Sequence, residues 1–175
     1  DEVFGAGGTL QKLVSHDVSV QQIIITSGDN KTDGNIAHTR KTESLRAANC
    51  LGLPAPIFWS YADRSLTEAI GLSDEISTAL NEIRPNAVMV PGLDEVHPDH
   101  RATTCAVISA IKSSNLDAEI IFYEVSRPIT HPNWLVDISD SNKLEAMRCF
   151  QSQQAIEPYA ERIFGLNQYR SYHLG

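Results

Sequence analysis

The chain has 175 residues, 42% of them hydrophobic and 21% charged, which is enough for one domain with one sizeable core and too short to promise two. A formal net charge of −8 disfavours duplex nucleic acid and anionic membrane surfaces, both of which attract basic patches, and favours a small-molecule partner. The longest apolar runs, at 22–26 and 86–90, fall far short of the ~20 residues that cross a bilayer.

Taken in order, the apolar periodicity and the breakers predict a helix over 4–14 and a strand over 21–26 rich in β-branched residues. A helix over 37–51 places Leu45, Ala48 and Leu51 at helical spacing, and Gly52 with Pro54 stops it. A short apolar strand at 57–61, a helix at 73–84 and a continuous apolar strand at 87–90 follow, the last ended by Pro91-Gly92. A helix over 98–113, a strand over 119–125, an edge strand over 134–138 and helices over 142–151 and 156–164 complete the order. Continuous apolar strands separated by helices imply a single α/β domain over 1–175, a mainly parallel, Rossmann-like sheet with helices on both faces. Loops leaving the carboxyl ends of such strands gather at one edge, the expected binding site. Those loops are the stretch before Phe4, the polar loop 27–34 and the loop 92–97.

Three cysteines, Cys50, Cys105 and Cys149, are odd in number, form no CxxC pair and each fall in an expected helix. They read as buried, reduced thiols of a cytoplasmic protein. The first residue is Asp1, with neither an initiator Met nor a leader pattern, so the start reads as a processing site or another boundary and not as the natural first residue.

The strongest chemical signal is His97-Pro98-Asp99-His100, between a buried-type strand and a helix. Pro98 suits the first helical position, which places His97 at the cap and His100 in the first turn on a similar side. One imidazole can then hold a metal while the other donates a proton or hydrogen bond, with Asp99 near enough to orient a neighbour. A capped helix start with exposed histidines is the alternative. The second signal is Asp1-Glu2 running into Gly5-Ala6-Gly7-Gly8, where glycines allow close backbone approach to a strand or ligand. That stretch lacks the third glycine of a dinucleotide fingerprint, and no acidic residue ends the following strand, so nucleotide binding is disfavoured.

Together these signals resemble the PIG-L/LmbE-like N-acetylglucosamine deacetylase family. Asp1-Glu2 with Gly5-Ala6-Gly7-Gly8 is similar to the tail of its P-H-P-D-D-E-x-x-G-x-G-G signature, Thr26-Ser27-Gly28 to its T-x-G, and Arg40-x-x-Glu43, Ala47 and Leu51-Gly52 to its R-x-x-E-x-x-x-A-x-x-x-L-G. His97-Pro98-Asp99-His100 resembles its H-P-D-H. The resemblance covers the first two thirds of the chain.

The resemblance implies that Asp1 and His100 are ligands of a zinc or another divalent metal. The family's third ligand, a histidine three positions before Asp1, and its general-base aspartate, immediately before Asp1, are not in this sequence, so the deacetylase domain is expected to be N-terminally incomplete. It also implies metal-assisted hydrolysis of the N-acetyl group of an N-acetylglucosamine-type conjugate. In that scheme His97, held by Asp99 and charged, stabilises the oxyanion. Arg40 is the expected substrate contact, with pairing to Glu43 as the alternative. Glu2 braces the first loop, Asp29 and Asn30 are polar rim candidates, and Tyr123 lines the pocket or is an ordinary core or surface tyrosine. His131-Pro132 reads as a surface turn, and Trp59 and Trp134 as packing residues. Family members act on thiol-cofactor precursors, glycolipid anchors, chito-oligosaccharides and glycopeptide antibiotics, and a homo-oligomer is compatible with the family. The rival readings are a zinc hydrolase of another small amide and a catalytically silent sugar-binding domain.

Overall fold

The structure, a computed structural model, describes residues 1–29 and 34–172. The order is α1 (Glu2–Ser15), β1 (Ile23–Thr26), α2 (Gly34–Cys50), β2 (Ile57–Tyr61), a 3-10 turn at Leu66–Glu68 and α3 (Leu72–Ile83). Then come β3 (Ala87–Pro91), α4 (Pro98–Ser114), β4 (Glu119–Tyr123), α5 (Lys143–Arg148), α6 (Gln151–Gln154) and α7 (Tyr159–Ser171). The α/β expectation holds. β1 pairs in parallel with β2, Ile23 opposite Ile57, and β3 with β4 in unbroken register from Ala87–Glu119 to Pro91–Tyr123. Parallel neighbours need a crossover, which α2 and α4 supply. No helix among the described residues is long and apolar enough to cross a membrane.

The chain divides into two compact units, Asp63–Ile129 and a second made of Asp1–Ala62 with Thr130–Gly175. In the larger unit α1 buries Val3, Phe4, Ala6, Gly7, Gly8 and Leu10. Its glycines serve packing: a Cβ on Gly8 would lie 2.8 Å from Ile138 Cβ, and one on Gly7 3.3 Å from Leu51 Cδ1. Phe4 packs against Phe150 with tilted rings and centroids 5.3 Å apart, and the buried Lys143 donates from Nζ to the Gly5 carbonyl at 3.0 Å. In the other unit α3 buries Leu72, Ile76 and Leu80, one residue per turn. There the hydroxyl of Thr104, fully inaccessible on α4, donates to the Pro91 carbonyl at 2.8 Å and fixes the helix to the end of β3.

Four expectations are corrected. Residues 134–138 form no strand: Lys12 Nζ donates to the Asp137 carbonyl at 3.0 Å and Ile138 rests on Gly8, so this segment is held to α1, with Trp134 67% exposed. The last strand stops at Tyr123, because the N–H groups of residues 125–127 turn to the carboxylate of Glu95. The expected helix over 142–151 breaks at Cys149 and Phe150, with α6 following at Gln151, and the helix expected over 156–164 starts only at Tyr159, after Pro158, and runs to Ser171. Cys105 is exposed, Cys50 and Cys149 are half-buried, and Cys149 caps α5 rather than lying within it.

Candidate active site

The start of α4 has the predicted geometry. His97 is the N-cap residue with extended backbone (φ −70°, ψ 129°), Pro98 follows at the first helical position, and the Asp99 N–H donates to His97 Nδ1 at 3.3 Å. His97 and His100 face each other with ring centroids 5.0 Å apart. The holding of His97 differs from expectation, since it comes from the Asp99 backbone and not its carboxylate. That carboxylate, 4% exposed, accepts from the Arg64 N–H at 2.6 Å and the Leu66 N–H at 3.1 Å. It thereby braces the segment that carries Asp63, whose Oδ1 lies 3.8 Å from His97 Nε2, ion-pair range but too long for a hydrogen bond.

Burial above all, with the neighbouring His100, pulls the pKa of His97 below its ordinary value against the opposing pull of Asp63 and Asp99. The neutral imidazole is therefore favoured, the reverse of the sequence expectation: desolvation outweighs the carboxylates. With Nδ1 accepting from a backbone N–H, the neutral ring carries its proton on Nε2, a tautomer assigned from the hydrogen bonds.

Glu95, 1% exposed, is, with Asp63, a residue that sequence reasoning missed. Its Oε1 accepts from the N–H groups of Val125, Ser126 and Arg127 at 3.0, 3.0 and 3.1 Å, and Oε2 lies 3.2 Å from His100 Nδ1. Burial raises its pKa, but the backbone donors and His100 outweigh burial and hold the carboxyl below its usual range. His100, also buried, is shifted down, chiefly by desolvation. A neutral His100 donating from Nδ1 to this carboxylate has its lone pair on Nε2, the state a metal-ligating histidine needs. The available signal was an acidic residue in the loop after β3, two positions before His97, but its backbone donors lie thirty or more residues away.

The other predicted residues are placed as follows. The Asp1 carbonyl caps α1 by accepting from the Gly5 N–H at 2.8 Å, and Glu2 Oε1 accepts from Gln22 Nε2 at 3.4 Å, next to the start of β1. Gly28 has a left-handed backbone (φ 73°), and a Cβ there would lie 3.2 Å from Arg40 Cγ, so the T-x-G turn makes room for the Arg40 stem. Glu43, the alternative partner of Arg40, is buried and accepts from the Ser152 N–H at 2.7 Å and hydroxyl at 2.6 Å. Asp29 accepts from the Ser27 hydroxyl at 2.5 Å, and Asn30 lies outside the described residues. Tyr123, half-buried, closes β4, and its carbonyl accepts from the Gly92 N–H at 3.0 Å. His97, Asp99, His100 and Tyr123 fall in the unit Asp63–Ile129, and Asp1, Glu2, Asp29 and Arg40 in the other.

Donor chemistry for a divalent cation is present. Among the described residues, one ligand atom each from Asp63, His97 and Asp99 lie within 4.8 Å of one another. Of these, the Asp99 carboxylate already accepts from two backbone N–H groups and the tautomer assigned to His97 leaves it no free lone pair, so the histidine better placed to ligate a cation is His100, with the Glu95 carboxylate behind its ring.

Comparison with known proteins agrees with this chemistry. The PIG-L family, described as GlcNAc-PI de-N-acetylase, matches residues 1–111. Diacetylchitobiose deacetylase of Thermococcus kodakarensis is 31% identical over 192 residues, spanning 93% of this chain and 72% of that protein. Among solved structures, the conserved protein TT1542 from Thermus thermophilus superposes with a TM-score of 0.86 at 24% identity, covering 100% of this chain and 85% of that one, and so shares the fold. The N,N'-diacetylchitobiose deacetylase from Pyrococcus horikoshii, in complex with an inhibitor, gives 0.76 at 28% identity over 93% of this chain and 72% of that one. The residues that open α4 thus lie inside a matched stretch covering more than half the chain, and the chain belongs to the PIG-L family of deacetylases.

Proposed function

We propose that this chain hydrolyses the N-acetyl group of an N-acetylglucosamine-type conjugate in a zinc-dependent reaction, releasing acetate and a free amine. The observation that carries this reading is the opening of α4, where the His97 and His100 ring centroids stand 5.0 Å apart, His97 Nδ1 accepting from the Asp99 N–H and His100 Nδ1 lying 3.2 Å from the Glu95 carboxylate, inside the matched stretch. A divalent ion, when bound, supplies a Lewis acid for the acetyl carbonyl and a field that acidifies the attacking water.

The chain's own residues take the remaining roles. The family motif assigns Asp1 and His100 as ligands, and Glu95 behind His100 supports that assignment for the histidine. His97 acts as a neutral donor from Nε2 to the oxyanion that develops on the carbonyl, which needs no imidazolium. Asp99 fixes the cap and the segment 63–66 on which the His97 environment depends. The proton of the attacking water goes to the carboxylate that the motif places immediately before Asp1, on protein extended upstream. Arg40, Glu2, Asp29, Asn30 and Tyr123 are the proposed sugar contacts, and residues 1–175 act as one catalytic domain. The free cysteines support a reducing, cytoplasmic setting. Similarity to two diacetylchitobiose deacetylases makes diacetylchitobiose the first substrate to assay.

The test is acetate release from diacetylchitobiose and from N-acetylglucosamine conjugates by zinc-loaded protein carrying its natural upstream residues. Turnover that disappears on chelation, returns with zinc and drops about 100- to 1,000-fold in His97→Ala with metal content unchanged is the expected result. Zinc-loaded protein that releases no acetate, or a His97→Ala variant as fast as the parent, contradicts it.

A further inference from the structure

Glu95 is nearly inaccessible, yet it is no ordinary salt-bridge partner, because its two oxygens do different things. Oε1 accepts three backbone N–H groups, from Val125, Ser126 and Arg127, which pins that oxygen as an acceptor. Oε2 lies against Nδ1 of His100 at 3.2 Å, with a second, shared contact to the Ser126 N–H at 3.1 Å. The carbonyls of Glu95 and Val96 in turn accept from the Arg101 guanidinium, the latter at 2.8 Å, and the Glu95 N–H donates to the Gly92 carbonyl at 3.3 Å, so the loop is tied down on both sides of the residue. A carboxylate fixed by three amides cannot turn away from the imidazole it faces.

We infer that Glu95 is a positioning residue: it fixes His100 as the Nδ1–H tautomer and so presents Nε2 as the electron-pair donor of the site. The metal part of this inference rests on the reading of His100 as a ligand; the tautomer part does not. An ionised carboxylate only accepts, so the nitrogen facing it must carry the proton, and the other nitrogen must carry the lone pair. The same geometry makes one isosteric change informative. In Glu95→Gln the three N–H donors select the amide oxygen for the Oε1 position, which leaves the NH2 group facing His100. Nδ1 must then accept, the proton moves to Nε2, and the lone pair is lost from the ligand position.

The experiment is imidazole nitrogen NMR on metal-free protein, with the His100 signals identified by their absence in His100→Gln, together with zinc affinity by competition with a chromophoric chelator. The expected results are an Nδ1–H tautomer for His100 in the parent, an Nε2–H tautomer in Glu95→Gln and zinc binding about 10- to 100-fold weaker in the variant, with circular dichroism unchanged. An Nε2–H tautomer in the parent, or a variant with unaltered tautomer and affinity, overturns the inference. If Glu95→Gln fails to fold, the parent tautomer alone decides. Should the parent bind no divalent metal while the tautomer switch is observed, the zinc reading fails and the role of Glu95 toward His100 stands.

Discussion

Asp99 and Glu95 are both carboxylates almost closed to solvent, and both direct their oxygens at backbone N–H groups of distant segments. Such a group is costly to remove, since each buried donor left without a partner costs about 1–3 kcal/mol. Asp99→Ala, which strands the N–H groups of Arg64 and Leu66, is therefore expected to lower unfolding free energy by about 2–4 kcal/mol, measured by urea denaturation. Asp99→Asn keeps one acceptor and should lose less; an alanine variant as stable as the parent would show that these bonds do not form. His-Pro-Asp-His was legible in the sequence because cap, proline and first-turn residues are contiguous and their geometry is local. Asp63 was not, since its contact with His97 joins distant parts of the chain, and Glu95 was not, since the backbone donors that aim its carboxylate at the nearby His100 lie thirty or more residues away. The charge state of His97 was misjudged for a related reason: two nearby carboxylates are visible in sequence, the desolvation that outweighs them is not.

At the scale of the elements, the glycines of α1 and the hydroxyl of α4 make the sharpest predictions. Gly8→Ala places a Cβ 2.8 Å from the branched Ile138, closer than side chains tolerate, and should destabilise by about 1–3 kcal/mol. Gly7→Ala meets a Leu51 methyl at 3.3 Å and ordinary contacts with Val3 and Lys143 at 3.6 and 3.7 Å, and should cost less; equal effects in chemical denaturation would contradict this packing. Thr104→Val leaves the Pro91 carbonyl unpaired and should cost about 1–3 kcal/mol. The cysteines give an element-level pH prediction. Burial first, then nearby Glu145 for Cys50 and mainly the adjacent Cys50 for Cys149, raise these two thiols, so their thiolates form only at more alkaline pH. Iodoacetamide at pH 8, followed by peptide mapping, should label exposed Cys105 first, with Cys50 and Cys149 catching up as pH rises. Simultaneous labelling of all three would contradict it. The strand expected over 134–138 failed because its apolar residues serve a different surface: Ile138 fills the space left by Gly8, an interaction that periodicity alone cannot reveal.

Across the molecule, the α/β order with parallel pairing was readable because β1, β3 and β4 are short, apolar and bounded by turn residues, with a helical period between them. The last third was less so. There the helices are short, broken at Phe150 and delayed by Pro158, and their limits depend on buried contacts such as Glu43 with Ser152. Function followed from ordered motifs rather than from composition, and the family match over residues 1–111 covers the same part of the chain as those motifs. The central claim is that this part of the chain builds a metal-dependent deacetylase. Its most direct test is metal content by plasma mass spectrometry on protein with its natural upstream residues, compared with His100→Ala, each assayed for acetate release from diacetylchitobiose. About one zinc per chain in the parent, with both metal and activity lost in the variant while the fold is retained, is the predicted result. A parent that takes up no divalent metal and releases no acetate, or a variant that keeps both, would contradict it.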